Sequence, residues 1–204
     1  MAKIKNLLFD LGGVLLNIDY NKTADAFKNL GIHQFDELYS QADANHLFEA
    51  LETGEISEGD FYTTIQQYCH PSTTQQQIEM AWNAILLNFR IESLDYLDGL
   101  KEKYNVYLLS NTNSIHLTAF HKIFREETGK PNLDEYFIKA YYSHKIHKRK
   151  PYAATYQFVV EDAGIKADET LFIDDSFNNI EGAKEAGLQV YHLLANHKIE
   201  DIKL

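Results

Sequence analysis

The chain has 204 residues, of which 45% are hydrophobic and 13% aromatic, enough for the core of one domain with a modest insertion. Thirty acidic against 19 basic residues give a formal net charge of −11. This disfavours binding to nucleic acid and to anionic membranes, because both need clustered Lys and Arg. A single cysteine, Cys69, excludes an internal disulfide, and no apolar run matches a signal peptide or a membrane span. We therefore expect a soluble, cytoplasmic protein.

Short apolar runs alternate with amphipathic patterns along most of the chain. Runs of this kind are typical of strands that are covered on both faces, as in a parallel sheet. The predicted strands are the run before Asp10 and residues 106–110, 136–143, 170–175 and 188–194. The predicted helices between them are 91–104, 151–164 and 176–187. This alternation predicts a Rossmann-like, doubly wound α/β fold with a parallel sheet.

Residues 17–90 interrupt the alternation. They are rich in helix formers and Gln and contain no convincing strand pattern. Ser57 followed by Asp60 predicts a capped helix, and Pro71 with Thr73 and Thr74 predicts the start of the next one. We therefore predict an α/β core formed by residues 1–16 and 91–204, and a helical insertion at 17–90, called the cap segment below.

Polar residues gather where the predicted strands end. In an open parallel sheet, ligands bind beyond the carboxyl ends of the strands. The residues delivered there are Asp10, Gly12, Gly13, Ser110, Asn111, Lys150, Asp174 and Asp175. Three neighbouring carboxylates need a compensating cation, and Mg²⁺ prefers oxygen ligands and is often shared with a substrate phosphate. Lys150, Ser110 and the backbone N–H groups of the glycine turn are suited to phosphate oxygens, and Asp10 is suited to attack phosphorus.

Four motifs carry a family resemblance. They are FDLGGV around Asp10, LLSNTN around Ser110, RKP ending after Lys150, and IDDSFNN at 173–179. In this order they resemble the motifs of the haloacid dehalogenase-like hydrolase superfamily, over essentially the whole chain. The residues of these motifs are most similar to those of the branch that includes a bacterial glucose-1-phosphate phosphatase. The cap segment resembles a C1-type cap.

The resemblance implies a role for each matching residue. Asp10 becomes the nucleophile and a metal ligand, with the carbonyl of Gly12 and the carboxylate of Asp175 as further ligands. Asp174 becomes an outer or water-mediated ligand, and Asn179 orients the loop that carries both aspartates. Ser110 holds the transferring phosphoryl group with Asn111 beside it, and Lys150 neutralises nucleophile and phosphate.

Two positions depart from the family pattern. Gly12 stands where many of these phosphatases have an aspartate that protonates the leaving oxygen. His147 stands three residues before Lys150, where glycine is common, and its imidazole is a candidate replacement proton donor. Phe48, Glu49 and Glu52 precede a Gly-containing turn of the cap segment and are candidates to face the substrate.

The function predicted from the sequence is Mg²⁺-dependent hydrolysis of a small phosphomonoester through an aspartyl-phosphate. The cap segment has few basic residues, which favours a phosphorylated sugar or similar metabolite with one phosphate over a doubly phosphorylated one. We expect a monomer or dimer without nucleic-acid or membrane partners. The alternatives are a metal-independent 2-haloacid dehalogenase, disfavoured by Asp174 and Asp175; a phosphomutase, disfavoured by Gly12; and a non-catalytic metal- or ligand-binding protein, which Gly12 supports.

Overall fold

A five-stranded parallel sheet forms the centre of the molecule in the computed structural model, which describes residues 2–35, 42–202 and 204. The strands are β1 (Asn6–Phe9), β2 (Leu16–Ile18), β3 (Leu86–Phe89), β4 (Asn105–Ser110), β5 (Lys139–Tyr142), β6 (Thr170–Asp174) and β7 (Gln189–His192). The five-stranded sheet has the order β5-β4-β1-β6-β7, with every pair parallel. The predicted α/β fold with a parallel sheet is confirmed.

Helices cover the sheet and form most of the cap segment. They are α1 (Tyr20–Asn29), α2 (Ala42–Thr53), α3 (Glu58–Gln66), α4 (Gln75–Asn83), α5 (Ile91–Leu100), α6 (Ser114–Thr128), α7 (Ser143–Ile146), α8 (Ala153–Asp162) and α9 (Phe177–Glu185). Short 3₁₀ turns lie at Leu133–Tyr136, Ala167–Glu169 and Ile199–Asp201. Within the described ranges, none of the helices has both the length and the apolar character required to cross a membrane.

The central strand β1 is buried on both faces of the sheet. Leu7 and Phe9 pack into the apolar cluster on one face, and Leu8 packs into the cluster on the other. All three side chains are fully buried, as expected for a strand covered on both faces. β1 lies between β4 and β6, so the residue that follows it, Asp10, is placed at the middle of the sheet's carboxyl edge.

Two short strands border the cap segment, although the sequence patterns indicated no strand there. β2 and β3 pair antiparallel, with Leu16 opposite Phe89, and both of these side chains are buried in the core of the sheet. The two strands are only three and four residues long and far apart in sequence, so neither periodicity nor a turn signal marks them. The domain division at residues 16/17 and 90/91 stays a prediction, with this ribbon at its edge.

The helices of the cap segment pack around a shared apolar cluster, to which Ile115 of α6 also belongs. Trp82 from α4 lies at its centre, with ring centroids 5.2 Å from both Phe48 and Phe61. The predicted caps are confirmed: Ser57 forms a reciprocal capping box with Asp60 at the start of α3, and Thr74 forms one with Gln77 at the start of α4. Ser57 and Thr74 thus fix where these two helices begin.

Candidate functional site

A cavity of about 310 Å³ lies between the carboxyl edge of the sheet and the cap segment. Most of the residues predicted from the strand ends line it, namely Asp10, Gly12, Ser110, Asn111, Lys150, Asp175 and Asn179. Asp174 lies directly behind this wall and is fully buried. The carboxyl ends of the strands therefore bring together residues that are as much as 169 positions apart in the sequence, from Asp10 to Asn179.

Lys150 joins two carboxylates at the floor of the cavity. Its Nζ lies 2.7 Å from Oδ1 of Asp10 and 2.7 Å from Oδ2 of Asp174. Burial lowers the pKa of Lys150, but the two carboxylates outweigh burial and hold the pKa above its usual value. The two carboxylates therefore favour the charged ammonium form, which compensates a pair of acids that would otherwise repel each other in a buried site.

Asp174 accepts hydrogen bonds from three neighbouring residues. Besides Lys150, it accepts hydrogen bonds from the backbone N–H of Ser176 and from Nδ2 of Asn179, which lies 3.1 Å and 3.0 Å from its two oxygens. Asn179, in the first turn of α9, thereby fixes the orientation of this carboxylate. The geometry suits a residue that positions Lys150 and stands behind a metal site.

Asp175 is held against the glycine turn after β1. A Cβ on Gly13 would lie 2.1 Å from Oδ2 of Asp175, and Gly13 has a φ of 72°, so both space and backbone conformation require glycine. Burial raises the pKa of Asp175, and repulsion from Asp174 adds to the rise. The backbone N–H of Gly13, predicted to bind a phosphate oxygen, instead donates to the carbonyl oxygen of Leu16.

These carboxylates form a donor set that fits a hard divalent cation. Asp10, Asp174 and Asp175 each offer an oxygen, and these three oxygens lie within 4.8 Å of one another. Oxygen ligands of this kind are the ones that Mg²⁺ takes in proteins. Burial raises the pKa of both Asp10 and Asp175, and repulsion from Asp174 adds to the rise, so a bound cation would favour their charged forms.

Asn111 contacts the backbone of Lys150. Its Nδ2 donates to the carbonyl oxygen of Lys150, and its Oδ1 accepts from the backbone N–H of Lys150, both at 2.9 Å. The side-chain amide of Asn111 therefore locks the Lys150 segment to the end of β4. Asn111 also lines the cavity, so its contact with the substrate stays a prediction.

The segment after Lys150 is also held by a close helix approach. A Cβ on Gly182 of α9 would lie 1.8 Å from the carbonyl oxygen of Pro151. We expect Gly182→Ala to push this segment away and to lower the free energy of unfolding by about 1–3 kcal/mol. Gly99 of α5 is the matched control, because its Cβ would meet open space, and Gly99→Ala should instead stabilise by about 0.5–1 kcal/mol. Urea titrations measure the free energy of unfolding of both variants. An unchanged free energy of unfolding in Gly182→Ala would contradict the close packing.

His147 lies outside the wall of the cavity. Its Nδ1 lies 2.8 Å from the backbone oxygen of Thr53 at the end of α2, and the residue does not line the cavity. Its backbone is left-handed, with φ 53°, which turns the ring toward the cap segment. His147 is thus a contact between the core and α2, and its role as the replacement acid stays a prediction that this position does not favour.

The cap segment adds residues to the cavity that the motifs do not mark. Glu52 of α2 and Arg149 face each other there, with Oε2 of Glu52 3.0 Å from Nε of Arg149. His116 also lines the cavity; its ring stacks on Trp82 at 4.7 Å, and burial lowers its pKa to about 4. Glu52 is one of the three candidates before the Gly-containing turn of the cap segment, whereas Arg149 lies in the RKP motif without a predicted role.

The titration of Asp10 predicts how stability depends on pH. Burial raises the pKa of Asp10 from 3.8 to about 7 against the attraction of Lys150, and Asp174 and Asp175 add to the rise. Between these two values the folded protein binds more protons than the unfolded chain, so stability falls as pH rises. We expect the urea midpoint of the metal-free protein to fall from pH 5 to pH 7, and to fall less in Asp10→Asn. Identical pH dependence in both proteins would contradict the raised pKa.

The family assignment follows from comparison with known proteins. The family model described as haloacid dehalogenase-like hydrolase matches residues 4–187. The chain belongs to the haloacid dehalogenase-like hydrolases. This confirms the resemblance seen in the four motifs, and those motifs are the ones that surround the cavity.

Relatives of this haloacid dehalogenase-like hydrolase include a protein of named activity. The chain is 35% identical over 189 residues to a D-ribitol-5-phosphate phosphatase of Bacteroides thetaiotaomicron, covering 92% of this chain and 91% of the relative. Among solved structures, a HAD family enzyme of the same organism, in complex with magnesium and inorganic phosphate, has a TM-score of 0.87 at 38% identity, covering 97% and 98% of the two chains. A HAD-like family hydrolase of Porphyromonas gingivalis has a TM-score of 0.85 at 34% identity, covering 96% and 94%.

Proposed function

We propose that this protein is a Mg²⁺-dependent phosphatase that hydrolyses a small sugar or polyol monophosphate through an aspartyl-phosphate on Asp10. The observation that carries the proposal is the buried arrangement of Asp10, Lys150 and Asp174 beside Asp175. Two relatives support it, one named as a phosphatase of D-ribitol 5-phosphate and one solved with magnesium and phosphate. A charged lysine next to a would-be nucleophile and three clustered carboxylates are the parts that phosphoryl transfer needs.

Asp10, Asp175 and the carbonyl of Gly12 are the groups that we propose to hold the metal. When bound, Mg²⁺ neutralises charge on the phosphoryl oxygens and brings them within reach of Asp10. Asp174 acts behind these groups, because its hydrogen bonds with Lys150 and Asn179 hold the lysine in place. Removal of the metal with a chelator should therefore abolish activity and leave the Lys150 contacts intact.

The chemical steps follow from the same residues. One carboxylate oxygen of Asp10 attacks phosphorus in line, and the bond between phosphorus and the alcohol oxygen breaks. Lys150 and the Ser110 hydroxyl stabilise the charge on the phosphoryl oxygens during the transfer. Water then attacks the phosphorus of the aspartyl-phosphate, which releases inorganic phosphate and restores the Asp10 carboxylate.

The walls of the cavity favour a substrate with a single phosphate. Arg149, the arginine that lines it, is already paired with Glu52 and Glu49, so it offers little charge for a second phosphate. Glu52 and Arg149 are instead suited to the hydroxyl groups of a sugar or polyol, which both donate and accept. We propose that the cap segment, residues 17–90, selects this substrate.

The test is phosphate release from a panel of monophosphates, including D-ribitol 5-phosphate and glucose 1-phosphate, with Mg²⁺ and with EDTA. We expect hydrolysis of at least one member with Mg²⁺ and none with EDTA. If Mg²⁺ binds and no member is hydrolysed, the non-catalytic binding alternative replaces this proposal. Chloride release from 2-chloropropionate without metal would favour the dehalogenase alternative.

A further inference from the structure

The position two residues after Asp10 leaves the leaving group without a proton donor. Gly12 has no side chain, and a Cβ there would lie 3.2 Å from Cδ1 of Ile18, so the adjacent space is filled by an apolar group. An alkoxide is a poor leaving group, and general acid assistance is typically worth about 10²–10⁴-fold. Hydrolysis of an alkyl phosphate therefore needs a donor from another part of the cavity.

Most titratable groups in the cavity are already committed. Besides Glu52, those that line it are Asp10, Tyr20, His116, Arg149, Lys150 and Asp175. Asp10, Lys150 and Asp175 serve the nucleophile and the cation, and a guanidinium does not release its proton. Nε2 of His116 lies 3.0 Å from the carbonyl oxygen of Trp82, and its Nδ1 lies 3.2 Å from Nδ2 of Asn113. Tyr20 is 64% exposed, and a phenol is a far weaker acid than a carboxyl.

Glu52 lines the cavity, and its carboxylate is not fully hydrogen-bonded within the described part of the chain. Its Oε2 is buried and, among the described residues, has no hydrogen-bond partner, although it lies 3.0 Å from Nε of Arg149. The contact is thus an ion pair without the alignment of a hydrogen bond. Arg149 also contacts Glu49, with 3.5 Å between Nη1 and Oε2, so its charge is divided between two acids.

The surroundings of Glu52 favour its protonated form more than water does. Burial raises the pKa of Glu52 above its ordinary value, and Arg149 opposes this, while Glu49 raises the pKa further and Lys150 lowers it. A buried carboxyl whose protonated form is favoured by its surroundings is suited to general acid and base catalysis.

We infer that Glu52 is the general acid and base of this site, supplied by the cap segment in place of the missing side chain at position 12. The inference rests on the proposed function. In the first step Asp10 bonds to phosphorus, the bond from phosphorus to the leaving oxygen breaks, and the Glu52 carboxyl gives its proton to that oxygen to form the alcohol. In the second step the Glu52 carboxylate takes a proton from the attacking water, the bond from Asp10 to phosphorus breaks, and phosphate leaves.

The test compares two leaving groups in Glu52→Gln. A polyol phosphate needs a proton on its leaving oxygen, whereas p-nitrophenolate leaves without one. We expect Glu52→Gln to lower turnover of D-ribitol 5-phosphate, or of the best panel substrate, by about 10²–10⁴-fold without a burst of product. With p-nitrophenyl phosphate, rapid-quench measurements should give a burst of one nitrophenolate per active site followed by slow turnover, because only the water step is impaired.

Glu55→Gln is the matched control, since Glu55 lies three residues after Glu52, is exposed and does not line the cavity. It should keep both activities within a few-fold. Equal loss on both substrates without a burst, or full activity on both, would overturn the role of Glu52. Glu52→Asp, which retains a carboxyl, should recover part of the polyol phosphate activity, and it replaces the Gln variant as the test if that variant does not fold. Failure of the unmodified protein on both substrates would instead overturn the proposed function itself.

Discussion

Asp10→Asn should lower the rate of phosphate release by about 10⁴-fold or more, because an amide oxygen cannot form the aspartyl-phosphate. Asparagine has nearly the same shape, and Lys150 retains its contact with Asp174, so the fold should persist. The measurement is phosphate release at saturating substrate and Mg²⁺. Circular dichroism and urea titration should establish that the variant is folded.

Asp19→Asn is the control for this loss. Asp19 precedes α1, where its side chain accepts a hydrogen bond from the backbone N–H of Asn21, and it does not line the cavity. Asparagine is an equally good residue at a helix N-terminus, so activity and stability should both be retained. Activity of Asp10→Asn within tenfold of the unmodified protein would rule out Asp10 as the nucleophile.

Lys150→Met should be the most destabilising single substitution in the site. It removes the buried charge between Asp10 and Asp174, and loss of one member of a buried ionic group typically costs about 3–5 kcal/mol. The remaining carboxylates then bind protons more readily in the folded state, so stability should increase as pH falls from 7 to 5. Mg²⁺ should restore part of the loss at pH 7, because the cation supplies the missing charge.

Urea midpoints at pH 5 and pH 7, with and without Mg²⁺, measure this effect. Lys184→Met is the matched control, since Lys184 pairs with Glu181 at 2.6 Å on the surface and half of its side chain is exposed. Surface pairs of this kind contribute little, so its midpoint should barely move and should not respond to Mg²⁺. A Lys150→Met variant as stable as the unmodified protein would mean that the two aspartates do not depend on the lysine.

The parallel sheet and its site could be predicted because their signals are local. A buried strand such as β1 is a continuous apolar run. Because the carboxyl ends of parallel strands lie at one edge of the sheet, Asp10, Ser110 and Asp174 can be placed together without any knowledge of side-chain packing. The predicted strand at 136–143 was too long at its start, since Tyr136 ends a 3₁₀ turn and β5 begins at Lys139. An apolar run does not reveal where a chain turns before it joins a sheet.

The cap side of the cavity could not be predicted in the same way. Glu52 faces Arg149 only because α2 packs against the segment before Lys150, a contact between residues 97 positions apart that no motif encodes. Asn111 appeared to be a substrate contact because it follows Ser110, but its amide is matched to the backbone of Lys150. Such roles depend on side-chain direction, which a residue's place after a strand does not determine.

The loop around Lys150 also limits how this protein can be recombined with its relatives. His147 contacts the carbonyl oxygen of Thr53, Arg149 contacts Glu49 and Glu52, and the Tyr152 hydroxyl donates to Glu49. A cap segment transplanted from a relative must therefore match this loop as well as the β2–β3 ribbon. Chimaeras that exchange residues 147–152 together with the cap segment should retain the packing of α2 against this loop. Exchange of the cap segment alone should lose the contacts that these two parts of the chain make with each other.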